Sequence, residues 1–97
     1  MPKKLSKHDK YVDRLVEKIK PEYDDISIHL KLSKKKRTVA EIDIMAKKGN
    51  EIHFFEVKCS YRIVKARKQL NKLRKMFVNE DISLFFYCGS GDVLVEV

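Results

Sequence analysis

Two stretches of sequence decide the fold: TVAEIDIMA at residues 38–46 and IHFFEVKC at residues 52–59, with KGNE at residues 48–51 between them. The first alternates apolar and polar residues, and the second is rich in aromatic and β-branched residues, so both patterns are typical of strands. Gly49 and Asn50 tolerate a positive φ angle and therefore suit the centre of a tight hairpin turn. The sequence thus predicts two antiparallel strands joined by a two-residue turn.

The predicted turn also determines which residues face each other across the hairpin. Counting outward from it places Asp43 opposite Glu56 and Glu41 opposite Lys58, and alternation along the strands puts these four side chains on one face. Like charges opposed across strands are destabilising, and burying unpartnered carboxylates costs more still. A divalent cation would offset this cost, because Mg²⁺ prefers carboxylate oxygens. A solvated strand face with a surface ion pair is the alternative.

The remaining chain predicts two helices and three more strands. Helical spacing of apolar residues indicates one helix from about Ser6 to Pro21 and another from Ile63 to Val78. Strand patterns cover residues 26–32, 82–87 and 93–97. The order α-β-β-β-α-β-β in a single domain of 97 residues predicts an α/β or layered α+β fold, with a mixed central sheet flanked by helices.

Positive charge is concentrated in one segment of the chain. Lys and Arg number 22 and Asp and Glu 14, for a net charge of +8. Residues 57–79 contain no acidic residue and carry the whole excess, in Lys58, Arg62, Lys65, Arg67, Lys68, Lys72, Arg74 and Lys75. Such a localised basic block is typical of a polyanion-binding surface. A solvated helix face and an acidic membrane surface remain as alternatives.

Composition also limits the classes of protein to which the chain can belong. No apolar run approaches the roughly 18–20 residues of a membrane span, and residues 1–4 lead into polar residues and not into the apolar region of a secretory signal. Two cysteines, Cys59 and Cys88, are too few for a disulfide scaffold. We therefore expect a cytoplasmic (intracellular) protein with no membrane partner. The apolar strands predicted at residues 82–87 and 93–97 suggest burial against a second copy, and hence a homodimer.

The hairpin sequence resembles the PD-(D/E)xK nuclease superfamily, whose signature is an acidic residue on one strand and Glu-x-Lys on the next. Asp43 matches the first position, and Glu56-Val57-Lys58 matches the second. The proline that often precedes the first acid is replaced by Ile42. The motifs cover residues 39–77, and the predicted element order matches the restriction-endonuclease-like αβββαβ core. Among small members, the chain is similar to archaeal and viral Holliday-junction-resolvase-like endonucleases.

The resemblance implies a Mg²⁺-dependent or Mn²⁺-dependent DNA endonuclease that hydrolyses phosphodiester bonds and selects branched DNA. It implies metal ligation by Asp43, Glu56 and the backbone carbonyl of Val57, and a catalytic role for Lys58. Gln69 is a further catalytic candidate, because some subfamilies carry Gln-x-x-Lys on the following helix. DNA phosphates would contact Arg62, Lys65, Lys68, Lys72 and Lys75.

The resemblance leaves open which acid of the first helix binds metal and which function the protein has. Related resolvases carry a metal-binding acid on the first helix, for which Asp13 is the candidate, Asp9 is another, and a solvated carboxylate is the alternative. His8, His29 and His53 lack metal-ligand spacing to one another and are expected to be surface or core residues. A flap or single-strand DNA nuclease, and a non-catalytic nucleic-acid-binding protein on the same fold, are the alternative functions.

Overall fold

The structure is a computed structural model and describes residues 5–97. The prediction that the chain has no secretory signal concerns residues 1–4, which lie outside the described residues. Residues 5–97 form an α+β domain with helices α1 (Lys7–Ile19) and α2 (Ile63–Met76) and a mixed five-stranded sheet. The strands are β1 (Asp25–Lys34), β2 (Arg37–Lys48), β3 (Glu51–Lys58), β4 (Ile82–Cys88) and β5 (Val93–Glu96). The predicted fold class is therefore confirmed at this level.

The sheet has the strand order β1-β2-β3-β4-β5. Strands β3 and β4 are parallel, and the other neighbours are antiparallel. A parallel pair requires a crossover connection, and α2 provides it. Phe54 packs with the α2 side and Phe55 with the α1 side. Because successive strand residues point to opposite faces, the two helices cover opposite faces of the sheet.

Helix α1 forms because its apolar residues recur at helical spacing. Val12, Leu15 and Ile19 are buried and pack with core residues of β2, β3 and β4. Burial of each such side chain is worth about 1.5–3 kcal/mol. At the start of the helix the Ser6 hydroxyl accepts a hydrogen bond from the Asp9 backbone N–H at 3.1 Å. This N-cap defines where the first turn lies.

The turn between β4 and β5 anchors α1. The Tyr87 hydroxyl donates to Asp92 at 2.6 Å, and Lys18 forms an ion pair with the same carboxylate. Gly89 lies directly against the ring of Tyr11, where a Cβ would come within 2.2 Å of ring carbons. Only glycine permits this close approach, which brings the first turns of α1 towards the end of β3.

The hairpin between β2 and β3 confirms the register expected near its turn. Pairs run from Lys48↔Glu51 to Ile44↔Phe55. Gly49 has a φ of 59°, whereas Asn50 does not have a positive φ. Glycine at the first central position with a positive φ is the pattern of a type II′ turn, which matches the twist of the flanking strands.

The two carboxyl-terminal strands differ in their surroundings. Strand β4 lies inside the sheet between β3 and β5, so its apolar sequence is explained by burial within the chain. Strand β5 is an edge strand on which Val93 and Leu94 are more than 40% exposed. No helix within residues 5–97 is long and apolar enough to cross a membrane.

Candidate functional site

Strands β2 and β3 separate just beyond the pair Ile44↔Phe55. The expectation that Asp43 pairs with Glu56 and Glu41 with Lys58 in the ladder is therefore wrong. The Val57 N–H no longer meets a backbone partner on β2, and the Asp43 carboxylate replaces that partner: Asp43 Oδ2 accepts the Val57 N–H at 2.9 Å. The separation creates a gap between the strands, and Asp43 lies in it.

The β1–β2 pair is interrupted at the same level. Pairing passes from Ile28↔Ile44 to Leu30↔Ile42 and omits the intervening pair, where His29 has a φ of 53°. Ile44 packs with the α1-side core, but Ile42 packs with the α2-side core. Regular alternation would have put both on one face, so β2 changes face between them, at Asp43.

Glu56 is the only buried charged side chain among residues 5–97, with 7% of its surface exposed. Burial raises its pKa from 4.5 to about 9, assisted by a hydrogen bond with Asp43 and by the charge of Asp43. Lys58 acts in the opposite direction, with Nζ 3.9 Å from Glu56 Oε1. At neutral pH, Glu56 therefore holds a proton against Asp43 instead of a negative charge.

His8 reaches the same place from the first turn of α1. Its Nε2 atom lies 2.9 Å from the Val57 carbonyl oxygen and 3.4 Å from Asp43 Oδ2. The sequence-based expectation of an ordinary surface or core histidine missed this contact. No local signal would have found it, because His8 and Val57 are 49 residues apart and meet only through the docking of α1.

Of the two helix carboxylates, the structure brings Asp9 and not Asp13 towards this group. Asp9 Oδ1 lies 3.6 Å from His8 Nδ1 and 3.7 Å from His29 Nε2. Asp13 is exposed and lines a separate cavity of about 520 Å³, together with Lys20 and Tyr23. The contacts of Asp13 therefore do not support a role beside Asp43 and Glu56.

Gln69 and Lys72 lie at the edge of the group instead of at its centre. With Val39, Ala40 and Glu41, they line a small cavity of about 70 Å³ between α2 and β2. Exposed Glu41 also lines a cavity of about 140 Å³ that includes His29 and Asp43. Gln69 therefore lies beside Glu41, and neither Asp43 nor Glu56 lines its cavity.

The outer face of α2 carries the predicted basic side chains. All five are exposed, and their spacing of three or four residues places them on the side away from buried Ala66, Leu70 and Leu73: Arg62, Lys65, Lys68, Lys72 and Lys75. The helix begins a few residues after Lys58, so this basic face starts beside the carboxylates. The resulting surface is suited to a polyanion that passes the buried pair.

The donor set of the site is small. Within the described residues 5–97, no group of three His, Cys, Asp or Glu side chains forms a ready metal site. The carboxylates of Asp43 and Glu56 and the carbonyl of Val57 are all oxygen donors, the type that Mg²⁺ prefers, and Mg²⁺ commonly keeps water for its other positions. The residues therefore fit a hydrated Mg²⁺ better than a fully protein-ligated ion.

Comparison with protein families, curated proteins and solved structures gave no match for this chain. The function must therefore be inferred from the chemistry of the residues around Asp43 and Glu56.

Proposed function

We propose that the protein is a metal-dependent DNA endonuclease of the PD-(D/E)xK type, with a restriction-endonuclease-like core. The observation that carries this proposal is the burial of Glu56 against Asp43, with Lys58 beside them, at the gap between β2 and β3. This arrangement costs stability, because two carboxylates share a site with little water. A hydrolase that binds cations has a use for it, whereas a purely structural strand pair does not.

The residues around the gap fit a divalent cation. Burial, and then the hydrogen bond with Asp43 and its charge, raise the pKa of Glu56, and the positive charge of a cation would favour the ionised carboxylate instead. We assign Asp43, Glu56 and the carbonyl oxygen of Val57 as the groups that would hold Mg²⁺ or Mn²⁺. When bound, such an ion supplies an activated water and neutralises charge on the phosphate.

Lys58 has the position expected of a residue that assists phosphate hydrolysis. Its side chain is 22% exposed, so the ammonium group reaches the gap without being sealed in the core. There it can hold the attacking water by a hydrogen bond and balance the negative charge that develops on the scissile phosphate. Gln69, at the neighbouring cavity with Glu41, would orient a backbone phosphate and not the reacting water.

The basic face of α2 would hold the DNA by its phosphates, which fixes position without reading sequence. We therefore propose selection by DNA structure, as in a Holliday-junction resolvase. Two symmetric nicks in a four-way junction require two sites, and the exposed edge strand β5, with Val93 and Leu94, offers a surface for the proposed homodimer.

A non-catalytic nucleic-acid-binding protein is the second candidate. The observation that favours it is His8, which contacts both Val57 O and Asp43 Oδ2, two of the atoms assigned to the metal. A hydrogen bond from His8 Nε2–H to one of these oxygens would occupy it without a metal ion. In that case the basic face of α2 alone would account for the function.

A nicking assay distinguishes these candidates. The protein is incubated with Mg²⁺ or Mn²⁺ and labelled four-way junction, flap, duplex or single-stranded DNA. Lys58→Met is compared with Lys48→Met, a control at the exposed turn on the same hairpin. Paired nicks in the junction that only Lys58→Met abolishes are expected for a resolvase. Cleavage confined to flaps or single strands replaces the resolvase with the flap or single-strand nuclease, and salt-sensitive binding without cleavage supports the non-catalytic candidate.

A further inference from the structure

The β1–β2 pair extends well beyond the rest of the sheet. Strand β2 pairs with β3 only from Ile44 to Lys48, and beyond Ile44 it pairs only with β1, from Leu30↔Ile42 to Lys34↔Arg37, with an irregularity between Leu32 and Ser33. At 3.3 Å per residue, this two-stranded ribbon (residues 29–43) is about 20 Å long. Its root is buried, since Leu30, Leu32 and Ile42 pack with the core residues of α2. The ribbon therefore packs with the α2-side core as far as Leu32 and Ala40, and only its tip, residues 33–39, is exposed throughout.

The tip of the ribbon is strongly basic. Residues 26–40 contain no acidic residue, and the five cationic side chains there are all exposed: Lys31, Lys34, Lys35, Lys36 and Arg37. These residues lie outside the basic block of residues 57–79 and form a second cluster of like charge. Repulsion among them destabilises the hairpin, so their concentration calls for a polyanionic partner.

The turn at the tip of the ribbon is formed by two lysines, which do not favour its backbone conformation. Lys35 and Lys36 have φ angles of 51° and 64°, which is the left-handed pair of a type I′ turn. Asn-Gly is the favoured sequence for such a turn, and lysine there carries a conformational cost. The hairpin therefore keeps two charges at its tip in place of residues that would fold better.

The ribbon meets α2 at the edge of the candidate site. Val39 and Ala40 of the ribbon line the same small cavity as Gln69 and Lys72 of α2. Asp43 lies at the root of the ribbon, where the strands diverge. A polyanion that follows both basic surfaces would therefore pass along the edge of the candidate site, near Glu41.

We propose, on the basis of the nuclease function above, that the ribbon is a second DNA-binding element that enters a groove of duplex DNA. A two-stranded ribbon fits the major groove, which is about 12 Å wide. Its lysines would contact phosphates on either side of that groove, while α2 holds the backbone next to the scissile bond. The proposed substrate therefore includes a double-stranded arm beside the cleaved phosphate.

The test uses a double variant that removes charge and keeps the turn. Lys35→Asn/Lys36→Gly supplies the residues that a type I′ turn prefers, so it is expected to fold at least as well as the natural chain. Lys47→Gln/Lys48→Gln is the matched control, because it removes the same charge from the exposed hairpin turn at the opposite end of β2. Binding is measured by fluorescence anisotropy in EDTA, so that no cleavage occurs, on a duplex and on a single strand of the same sequence.

The salt dependence of DNA binding shows how many phosphate contacts each variant has lost. Loss of two phosphate contacts is expected to reduce the slope of log K against log salt by about 1.8 for the duplex. We expect this reduction for Lys35→Asn/Lys36→Gly and not for the control. We also expect the tip variant to lose less affinity for the single strand than for the duplex. Equal effects of the two variants, or an unchanged tip variant, would overturn the ribbon proposal while leaving nicking by the natural protein intact. Failure of the natural protein to bind any DNA would overturn both proposals.

Discussion

Replacing Glu56 by Gln is expected to stabilise the protein near pH 7 while abolishing cleavage. Glu56 is 7% exposed and its pKa is raised to about 9, chiefly by burial. Glutamine has nearly the shape of the protonated acid and donates a hydrogen bond to Asp43 in the same way, without a proton to lose. The variant therefore preserves the neutral form that the folded protein already adopts.

The magnitude follows from the linkage between protons and folding. A group whose pKa is higher in the folded protein contributes stability below its ordinary value of 4.5, and that contribution is lost as pH rises through about 9. The loss is about 1.4 kcal/mol per pH unit in that window, and so about 3 kcal/mol at pH 7. For a domain of this size, it corresponds to a melting temperature on the order of 10–20 °C higher for Glu56→Gln.

Urea unfolding between about pH 4 and pH 9 measures this difference. The two proteins are expected to be equally stable near pH 4, and the advantage of Glu56→Gln is expected to grow steadily with pH. Exposed Glu80 provides the control, since Glu80→Gln changes the same chemical group outside the core. Added Mg²⁺ is expected to stabilise the natural protein and not Glu56→Gln, because the variant lacks the second carboxylate.

A parallel pH dependence of the two proteins would refute the reasoning. It would mean that Glu56 ionises at its ordinary pKa, and hence that the carboxyl is not held next to Asp43 in a poorly solvated gap. A variant that is less stable than the natural protein at every pH would refute it equally, since the amide would then not replace the protonated acid.

Three other predictions test separate parts of the structure. Lys58→Met is expected to slow cleavage by at least about 100-fold with little change in DNA affinity, because the ammonium acts on the developing charge; single-turnover rates and anisotropy measure the two effects. Gly89→Ala is expected to destabilise the fold by about 1–3 kcal/mol in urea, since its Cβ would meet the Tyr11 ring at 2.2 Å, and Gly91→Ala, at a site with more room, serves as its control. Tyr87→Phe is expected to cost about 1 kcal/mol, by loss of the hydrogen bond to Asp92, and the same variant in an Asp92→Asn background should cost less.

The elements of this fold could be predicted from sequence because they depend on local patterns. Alternating apolar residues identified β2, aromatic and β-branched residues identified β3, and the Gly49-Asn50 turn defined their register from Ile44↔Phe55 to the turn. The charge pattern also located the basic face of α2. These features need only neighbouring residues, so no knowledge of tertiary packing was required.

The details of the candidate site depend on longer-range contacts. The change of face at Asp43 lies opposite a left-handed His29 on another strand, and no pattern of neighbouring residues on β2 indicates it. The choice between Asp9 and Asp13 is a shift of one helical turn, and it is decided by how Tyr11 packs on Gly89. His8 joins the site by the same docking, and none of these contacts leaves a periodic signal in the sequence.

The position of His8 in the first turn of α1 has a consequence for access to the carboxylates. The ends of helices open locally at a small fraction of the free energy needed to unfold the whole domain. Opening of this one turn would release Val57 O and Asp43 while the sheet and the rest of α1 stay folded. Removal of the Ser6 cap, which bonds the Asp9 N–H, is therefore expected to expose the gap to solvent more often. Amide exchange at Asp9 would report this opening directly, as a rate separate from that of the buried core.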